Sequence, residues 1–314
     1  MIWCFEHFPF LEVWVRIIYK KVLEWGILKK RIVPNEKADS NKSVSIKLLD
    51  EYLFKMGLKE GDVLIVHSSM KGIKGFGYSP NEIIDYLQNK VGKEGMLIMP
   101  TYPQYQEGHG NYIFDEVYQE MYEYDVSETI SWTGIITNEF MKRQDVIRSK
   151  FPNNTLAIWG NKKEVVFKND LESDLSFDRN SVWNYCYEKH AKVLFLGIHA
   201  HHSLSEIHLA EDRMDEEWPI KGWYTQKNYR IVDGENIIYK KCRVRKKFWT
   251  KYLTEFSGCY RLRKAELLKE HSLEGICVSF VPDLKKLVDY VEACALKGDL
   301  LYFRIPRKFY KGIK

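Results

Sequence analysis

Apolar runs and amphipathic segments alternate through the first two thirds of the chain. Uninterrupted apolar runs at 63–66, 96–99 and 193–196 predict strands that are buried on both faces. Helical spacing of apolar residues at 45–56 and 79–91 predicts a helix before the first strand and another after it. Because strand, turn-rich loop, helix and strand follow one another, the pattern predicts an α/β fold with a central, mostly parallel sheet flanked by helices.

A second kind of pattern occurs further along. Residues 230–244 predict a β-hairpin, with Asp233-Gly234 as its turn. This hairpin would form a smaller antiparallel subregion beside the main sheet.

The N-terminal segment 8–31 predicts an amphipathic helix. Apolar residues recur at spacings of three and four, with basic residues between them: Leu11, Val15, Ile18, Val22 and Trp25. Two interpretations stay open. The apolar stripe packs on the main body or on a sister subunit, or the helix lies on an acidic membrane surface.

The polar, turn-rich stretch 34–42 predicts a linker. We therefore divide the chain into an N-terminal helical extension with its linker, 1–44, and an α/β domain, 45–314. Glu6 and Glu12 interrupt the apolar N-terminus, which argues against a signal peptide, and no apolar run is long enough to span a bilayer. We expect a cytoplasmic protein, with peripheral contact to the inner membrane face as the open alternative.

Composition narrows the class of protein. Hydrophobic residues make up 45% and charged residues 29% of the chain, which excludes global disorder. The formal net charge of +5 is too small to indicate nucleic-acid binding. The six cysteines have irregular spacings and no C-x-x-C pair, so they predict free thiols in a reducing compartment and neither disulfides nor a zinc site.

The loop after the first strand, 67–80, contains three glycines, two lysines and three serines. Exposed backbone N–H groups, hydroxyls and the helix start at Ser79 are suited to a phosphorylated ligand, although such a loop is also compatible with simple flexibility. Thr101 and Tyr102 end the second strand, and ligands of open α/β sheets bind beyond such ends. They would face the same crevice as the loop, unless Pro100 merely terminates the strand.

A histidine-rich segment follows the third strand. His208 and Glu211 are three positions apart, so a helix would place them on one face. A carboxylate beside an imidazole fixes its tautomer, which a general base requires. The other histidines, His199, His201 and His202, match no standard zinc spacing, and we predict no metal site.

These segments, in this order, resemble the aminoglycoside 3-N-acetyltransferase family over about residues 45–300. The motifs that carry the resemblance are Val66-His67-Ser68-Ser69-Met70, Met99-Pro100-Thr101, Tyr124-Asp125, Thr129-Ile130-Ser131-Trp132-Thr133-Gly134, Arg148-Ser149, Ala157-Ile158-Trp159-Gly160, Asn180-Ser181-Val182, Leu196-Gly197-Ile198 and His208-Leu209-Ala210-Glu211. The resemblance implies an acyltransferase that moves an acetyl or other short acyl group from coenzyme A directly to the amine of an amino sugar.

The same resemblance implies roles for individual residues. His208 and Glu211 would activate the acceptor amine. The residues expected to bind coenzyme A are His67, Ser68, Ser69, Lys71, Gly72, Gly75, Thr101 and Asn154, and those expected to bind the sugar are Tyr102, Asp125 and Ser131. The 68–77 loop would take the pyrophosphate of the coenzyme. A homo-oligomer and a membrane or subunit contact through 8–31 remain open.

One departure from the family bears on function. Where the family usually has His-Pro-x-His, this chain has Phe151-Pro152-Asn153-Asn154, and an amide cannot shuttle protons near neutral pH. The basic run Arg243–Lys247 would attract a phosphorylated acceptor or form a solvated face. We therefore expect an amino-sugar N-acyltransferase of surface polysaccharide or nucleotide-sugar biosynthesis. Antibiotic resistance, an inactive binding or scaffold module, and a metal hydrolase built on the histidines are the alternatives.

Overall fold

The computed structural model describes residues 1–27, 43–105, 120–161 and 163–312. A seven-stranded sheet has the order β4-β5-β2-β1-β6-β10-β9, and a three-stranded sheet has the order β3-β7-β8. The strands are β1 Val63–Ser68, β2 Met96–Pro100, β3 Tyr122–Asp125, β4 Ile147–Arg148, β5 Leu156–Gly160, β6 Lys192–Leu196, β7 Tyr224–Asp233, β8 Asn236–Arg245, β9 Lys269–Leu273 and β10 Ile276–Val281.

The predicted α/β fold is confirmed, and the main sheet is mixed. Strand β1 pairs in parallel with β2 and β6, the three strands that the apolar runs predicted. The outer pairings are antiparallel. Two of these pairs, β4–β5 and β9–β10, are joined by short connections: Glu274 and Gly275 alone join β9 to β10, and such a hairpin requires antiparallel strands. Parallel pairing is thus confined to the centre of the sheet.

Helices cover both faces of this sheet. They are α1 Ile2–His7, α2 Pro9–Glu24, α3 Ile46–Lys55, α4 Pro80–Val91, α5 Ile135–Met141, α6 Lys163–Val166, α7 Val182–Glu188, α8 His208–Met214, α9 Glu255–Lys264 and α10 Leu284–Leu296. The predicted helices 45–56 and 79–91 correspond to α3 and α4. Ser79 caps α4 through a reciprocal capping box with Glu82, which explains why the helix begins there.

Two apolar cores lie on opposite faces of the sheet because successive strand residues point to opposite sides. Ile65, Ile98 and Phe195 pack with α7, α8 and α10. Leu64, Leu97 and the neighbouring strand residues on that side pack with α3, α4 and α5. The central strands are therefore buried on both faces, as their sequence indicates.

The predicted hairpin is longer than the sequence suggested. It comprises β7 and β8, with Asp233 paired to Asn236 and Gly234 at φ +60° in the turn. A positive φ favours glycine at this position. The third strand of this sheet, β3, pairs in parallel with β7.

The helix predicted over 8–31 corresponds to α2, which is shorter and ends at Glu24. A second helix, α1, precedes it and was not predicted. The two are separated at Phe8, because a residue before proline avoids the helical conformation and Pro9 begins α2. Both helices pack on the main body: Phe5 contacts Phe256 of α9 with ring centroids 6.0 Å apart. Residues 28–31 and the predicted linker 34–42 lie outside the described residues, so the division at residue 44 stays a prediction. Within the described chain, every helix is too short or too polar to cross a bilayer.

Gly72 of the glycine-containing loop lies directly against the end of β6. A Cβ at this position would lie 1.8 Å from the carbonyl oxygen of Gly197, so a side chain has no room. We expect Gly72→Ala to lower the free energy of unfolding by about 2–3 kcal/mol, since the backbone must shift to admit it. Urea denaturation followed by circular dichroism measures this. The control is Gly57→Asn, at an open position with φ +78° that asparagine tolerates; equal losses for both variants would contradict the steric explanation.

Candidate functional site

A cleft of about 790 Å³ opens at the carboxyl ends of the three parallel strands. Ser68 ends β1, Pro100 ends β2 and Ile198 follows β6, and all three line the cleft. Helix α8 and strand β8 form its far wall through His208 and Arg245. The position agrees with the general rule for ligand sites of open α/β sheets.

His208 and Glu211 come together as the i, i+3 spacing predicted. His208 begins α8, and its Nδ1 lies 2.9 Å from Oε1 of Glu211. His208 is partly buried and lines the cleft, whereas Glu211 is buried. When Nδ1 carries the proton and donates it to Glu211, Nε2 is the nitrogen available to accept a proton from a ligand.

Glu211 is held from several directions by residues distant in the sequence. Tyr302 donates its hydroxyl to Oε1 at 2.8 Å, and Trp223 donates its indole N–H to Oε2 at 3.1 Å. Burial alone would raise the pKa of Glu211, but the charges of His208 and Arg245 and the hydrogen bonds lower it. The carboxylate therefore stays ionised and fixes the imidazole.

Arg245 of β8 contacts both members of this couple. Its Nη1 lies 3.0 Å from His208 Nδ1 and 3.4 Å from Glu211 Oε1. A guanidinium only donates hydrogen bonds, whereas an ionised carboxylate only accepts them. Arg245 can therefore bond Nδ1 only when that nitrogen carries no proton, and Glu211 can bond it only when it does. Burial, followed by the Arg245 charge, lowers the pKa of His208. The imidazole is consequently neutral near pH 7, the state in which it can accept a proton.

The Arg245 contact predicts a pH effect. Arg245→Gln removes a cation that opposes protonation, so we expect the pKa of His208 to rise and the acid limb of the kcat/KM–pH profile to move to higher pH. Acyl transfer measured across the pH range checks this. Arg230→Gln, on the same hairpin but exposed and paired with Glu123, should leave the limb in place. A limb that stays fixed or moves to lower pH in Arg245→Gln would contradict the assignment.

A second imidazole–carboxylate pair lies at the end of β1. Nε2 of His67 is 2.7 Å from Oε1 of Glu206, and Glu206 has no exposed surface. Glu206 Oε2 and Ser68 Oγ are buried without a hydrogen-bond partner within the described chain. Sequence analysis missed Glu206. Its position in the histidine-rich segment was the available signal, but its partner is 139 residues away.

The residues expected to bind coenzyme A separate into two groups. His67, Ser68, Ser69 and Asn154 line the cleft. The remaining four, Lys71, Gly72, Gly75 and Thr101, lie outside the lining that the structure describes. Thr101 is buried, and its hydroxyl forms hydrogen bonds with Thr155 and Arg148. The Gly75 carbonyl accepts a hydrogen bond from the Val44 amide.

The residues expected to bind the sugar separate in the same way. Tyr102 lines the cleft. Asp125 accepts hydrogen bonds from Ser127 and from the Glu128 amide and so caps a turn. Ser131 donates to the Tyr102 carbonyl and pairs with Thr133, which gives it a local structural role.

Asn154, which stands where the family usually has the second histidine of His-Pro-x-His, faces the cleft together with the adjacent Asn153. The side-chain amides of Asn153 and Asn154 both donate to Ser176 Oγ, at 3.0 and 3.1 Å. Asn154 has φ +49°, a conformation that asparagine tolerates better than most residues. These amides supply hydrogen bonds but no titratable group.

Charge in the cleft is balanced by close ion pairs. Arg243 binds Asp174 and Asp215, with N–O distances of 2.7 and 2.6 Å. On the opposite side, Arg16 of α2 binds Glu12 and Glu255. Both arginines of the basic run Arg243–Lys247, which was expected to attract phosphate, are therefore already engaged with carboxylates.

The neighbouring Asp212 was also missed from the sequence. It is buried, receives hydrogen bonds from Tyr224 and from the Phe177 amide, and lines the cleft. Burial, with a smaller effect of the Glu211 charge, raises the pKa of Asp212 to about 8. Near pH 7 it is mostly uncharged, so it adds little negative charge to the site.

The remaining histidines contact one another. His201 stacks on His199, with ring centroids 5.1 Å apart, and contacts the tilted ring of His202 at 4.0 Å. Burial, followed by the neighbouring histidines, lowers the pKa of His201 to about 3. In the part of the chain that the structure describes, no group of three or more His, Cys, Asp or Glu side chains is arranged to hold a metal ion. All six cysteines are unpaired thiols there.

Comparisons with known proteins agree on one family. Residues 65–294 match the family model described as aminoglycoside 3-N-acetyltransferase. The SPbeta prophage-derived aminoglycoside N(3')-acetyltransferase-like protein YokD of Bacillus subtilis (strain 168) is 24% identical over 264 residues, which cover 80% of this chain and 92% of that protein.

Solved structures show the same fold. The aminoglycoside acetyltransferase AAC(3)-Xa superposes with a TM-score of 0.67 at 15% identity, over 83% of this chain and 95% of that one. AAC-IIIb, solved in binary complex with CoASH, gives a TM-score of 0.65 at 17% identity, over 84% and 99% of the two chains.

Proposed function

Because the chain belongs to the aminoglycoside 3-N-acetyltransferase family, we propose that it transfers an acetyl or other short acyl group to the amine of an amino sugar in surface polysaccharide or nucleotide-sugar biosynthesis. The predicted resemblance and the predicted enzyme class, a coenzyme A-dependent acyltransferase, are confirmed by this membership. The proposed parts are the acceptor, the biosynthetic role and the residues that perform the reaction.

The observation that carries the mechanism is the His208–Glu211 couple at the cleft wall. An ammonium has no lone pair, so the acceptor must lose a proton to attack a carbonyl. Nε2 of His208 accepts that proton, and Glu211 stabilises the resulting imidazolium through Nδ1–H. The amine nitrogen forms the new amide bond as the thioester C–S bond breaks, and the coenzyme leaves as its thiol.

The lining of the cleft is compatible with coenzyme A. The buried, unpartnered Ser68 Oγ is an unsatisfied polar atom in the wall, and such an atom favours a polar ligand there. Ser69 and Asn154 offer further hydroxyl and amide groups to the coenzyme. When bound, coenzyme A supplies the activated acyl thioester. The role of the 68–77 loop in holding the pyrophosphate stays a prediction.

Ion pairing in the cleft supports an acceptor that carries few positive charges. A polycationic aminoglycoside is best bound by unpaired carboxylates. Here Glu211 faces Arg245, Glu255 faces Arg16, and Asp212 is mostly protonated near pH 7. An amino sugar with a single free amine fits this balance better than an antibiotic with several.

The test is an acceptor panel assayed for thiol release from acetyl-coenzyme A. We expect turnover with nucleotide-linked or simple mono-amino sugars and weaker turnover with aminoglycoside antibiotics. Turnover restricted to the antibiotics would favour the resistance alternative. Absence of thiol release with every acceptor and short acyl donor would count against the proposed function.

The missing histidines favour one second candidate, an inactive member used as a binding module. Phe151 and Asn154 stand where the family usually has histidines, and neither side chain can transfer a proton. Isothermal titration calorimetry separates the two: coenzyme A binding without turnover on any acceptor supports the binding module.

A further inference from the structure

Helix α2 presents its apolar side chains to the outside. Rows i, i+4 and i, i+7 along the helix form one continuous stripe, which we call the outer face. Its residues, between 39% and 68% exposed, are Phe10, Leu11, Trp14, Val15, Ile18, Tyr19 and Trp25. Trp3 and Phe8, from α1 and its end, are also exposed.

The opposite side of α2 carries the charged groups that a soluble helix usually turns to water. Glu12 is 1% exposed, and it accepts hydrogen bonds from Arg16 and from the Glu255 amide at the start of α9. Arg16 also binds the Glu255 carboxylate at 2.6 Å. The two contacts to Glu255 join α2 to the start of α9 and fix the rotation of the helix, so turning the apolar stripe inward would break them and leave the buried Glu12 carboxylate without its partners.

Of the interpretations left open for the apolar stripe, packing on the main body does not occur, because the helix contacts the body through its charged side. Contact of the stripe with a sister subunit or a membrane surface stays a prediction. Monomeric proteins rarely expose this much contiguous apolar surface. Such a face marks a surface that another molecule covers.

Cations lie on the outer face and along one side of α2. Lys21 is exposed, and helical spacing places it on the same face as Trp14. The adjoining 3₁₀ segment 247–252 adds Lys247 and Lys251 beside the exposed ring of Phe248. Lys251 Nζ lies 3.5 Å from the centroid of that ring. The charges of both lysines act on Lys20, so they flank α2 on its Lys20 side.

We propose that the outer face docks on a bilayer surface containing anionic phospholipids, with α2 lying in the plane of the interface. Apolar side chains enter the boundary between head groups and acyl chains, tryptophans sit at head-group depth, and the lysines meet the lipid phosphates. A second copy of the chain is a poorer occupant. A two-fold interface sets the same patch against itself, and the seven residues of the outer face include no carboxylate that could pair with Lys21 of the other copy.

The test uses the full-length protein in vesicle flotation. We expect it to float with phosphatidylcholine vesicles that contain about a third phosphatidylserine, and to bind much less to pure phosphatidylcholine. Raising NaCl from about 0.1 to about 0.5 M should weaken the binding, because salt screens the lysines. This readout does not depend on the acyltransferase activity.

Two pairs of variants locate the contact. The double variant Trp14→Ser/Ile18→Ser should lose roughly tenfold or more in vesicle binding. The matched control Phe54→Ser/Leu296→Ser changes two side chains that are 84% and 71% exposed elsewhere, and it should bind like the wild type. Lys247→Gln/Lys251→Gln should lower binding to anionic vesicles roughly tenfold and leave the weak binding to neutral vesicles unchanged.

Folding and self-association are checked on the same samples by circular dichroism and analytical ultracentrifugation. Failure of the folded wild type to bind anionic vesicles would overturn the proposal. So would equal losses in the two serine double variants. A wild-type dimer that Trp14→Ser/Ile18→Ser dissociates, with no vesicle binding by either, would assign the outer face to a second copy instead.

Discussion

His208→Ala is expected to lower kcat/KM for acyl transfer by roughly 10²-fold or more, the usual contribution of a positioned general base. The variant keeps the cleft and the residues at the β1 end that are available to the coenzyme, so the loss should fall on the proton-transfer step. Coenzyme A affinity, measured by calorimetry, should change little. Steady-state thiol release with the best acceptor of the panel gives the rate.

A histidine far from the cleft provides the control. His190 pairs with Asp283 on the surface and has φ +51°, so His190→Asn preserves a conformation that asparagine accepts. It should retain wild-type rates. If His208→Ala lowers kcat/KM by less than about tenfold, and the acid limb of its kcat/KM–pH profile persists, another group removes the proton from the acceptor amine. The His67–Glu206 pair is then the first candidate.

The sequence predicted the centre of the fold because burial on both faces leaves a strong pattern. Strands β1, β2 and β6 read as continuous apolar runs, and α3 and α4 carry capping and stop signals. The edges left weaker signals. Strand β9, Lys269–Leu273, is mostly exposed and polar, and β4 has only two residues. Hydrogen bonding to neighbouring strands, which sequence periodicity does not record, defines both of them.

The candidate site was predicted where its members are close in sequence. The His208–Glu211 spacing within one helix was sufficient to place the two side chains together. Tyr302 is 91 positions from Glu211, and Arg245 is 34 positions away. Such contacts depend on how α8, β8 and the C-terminal segment pack, so local patterns contained no signal for them. For the same reason the sequence could not decide which side of α2 faces the main body, since the orientation depends on the distant Glu255.

Glu211→Ala is expected to lower the free energy of unfolding by about 3–5 kcal/mol. It also removes the hydrogen bond that orients the His208 imidazole. The substitution leaves the Trp223 indole N–H, the Tyr302 hydroxyl and the Arg245 guanidinium in a buried region without their shared acceptor. Each unsatisfied group costs about 1–3 kcal/mol, and their losses are not additive. Urea denaturation at neutral pH measures the change.

Two further variants serve as comparisons. One tests the charge of Glu211 while keeping the shape of its side chain, and the other removes an exposed carboxylate nearby. Glu211→Gln keeps an oxygen acceptor but removes the negative charge, so its stability should lie between those of the wild type and Glu211→Ala, while its activity falls with that of His208→Ala. Glu217→Ala, an exposed acid just after α8, should change stability by less than about 0.5 kcal/mol. Equal stability of Glu211→Ala and Glu217→Ala would mean that the buried partners of Glu211 find water or other acceptors. In that case the hydrogen bonds to Glu211 would not stabilise the packing of α8, β8 and the C-terminal segment around the cleft.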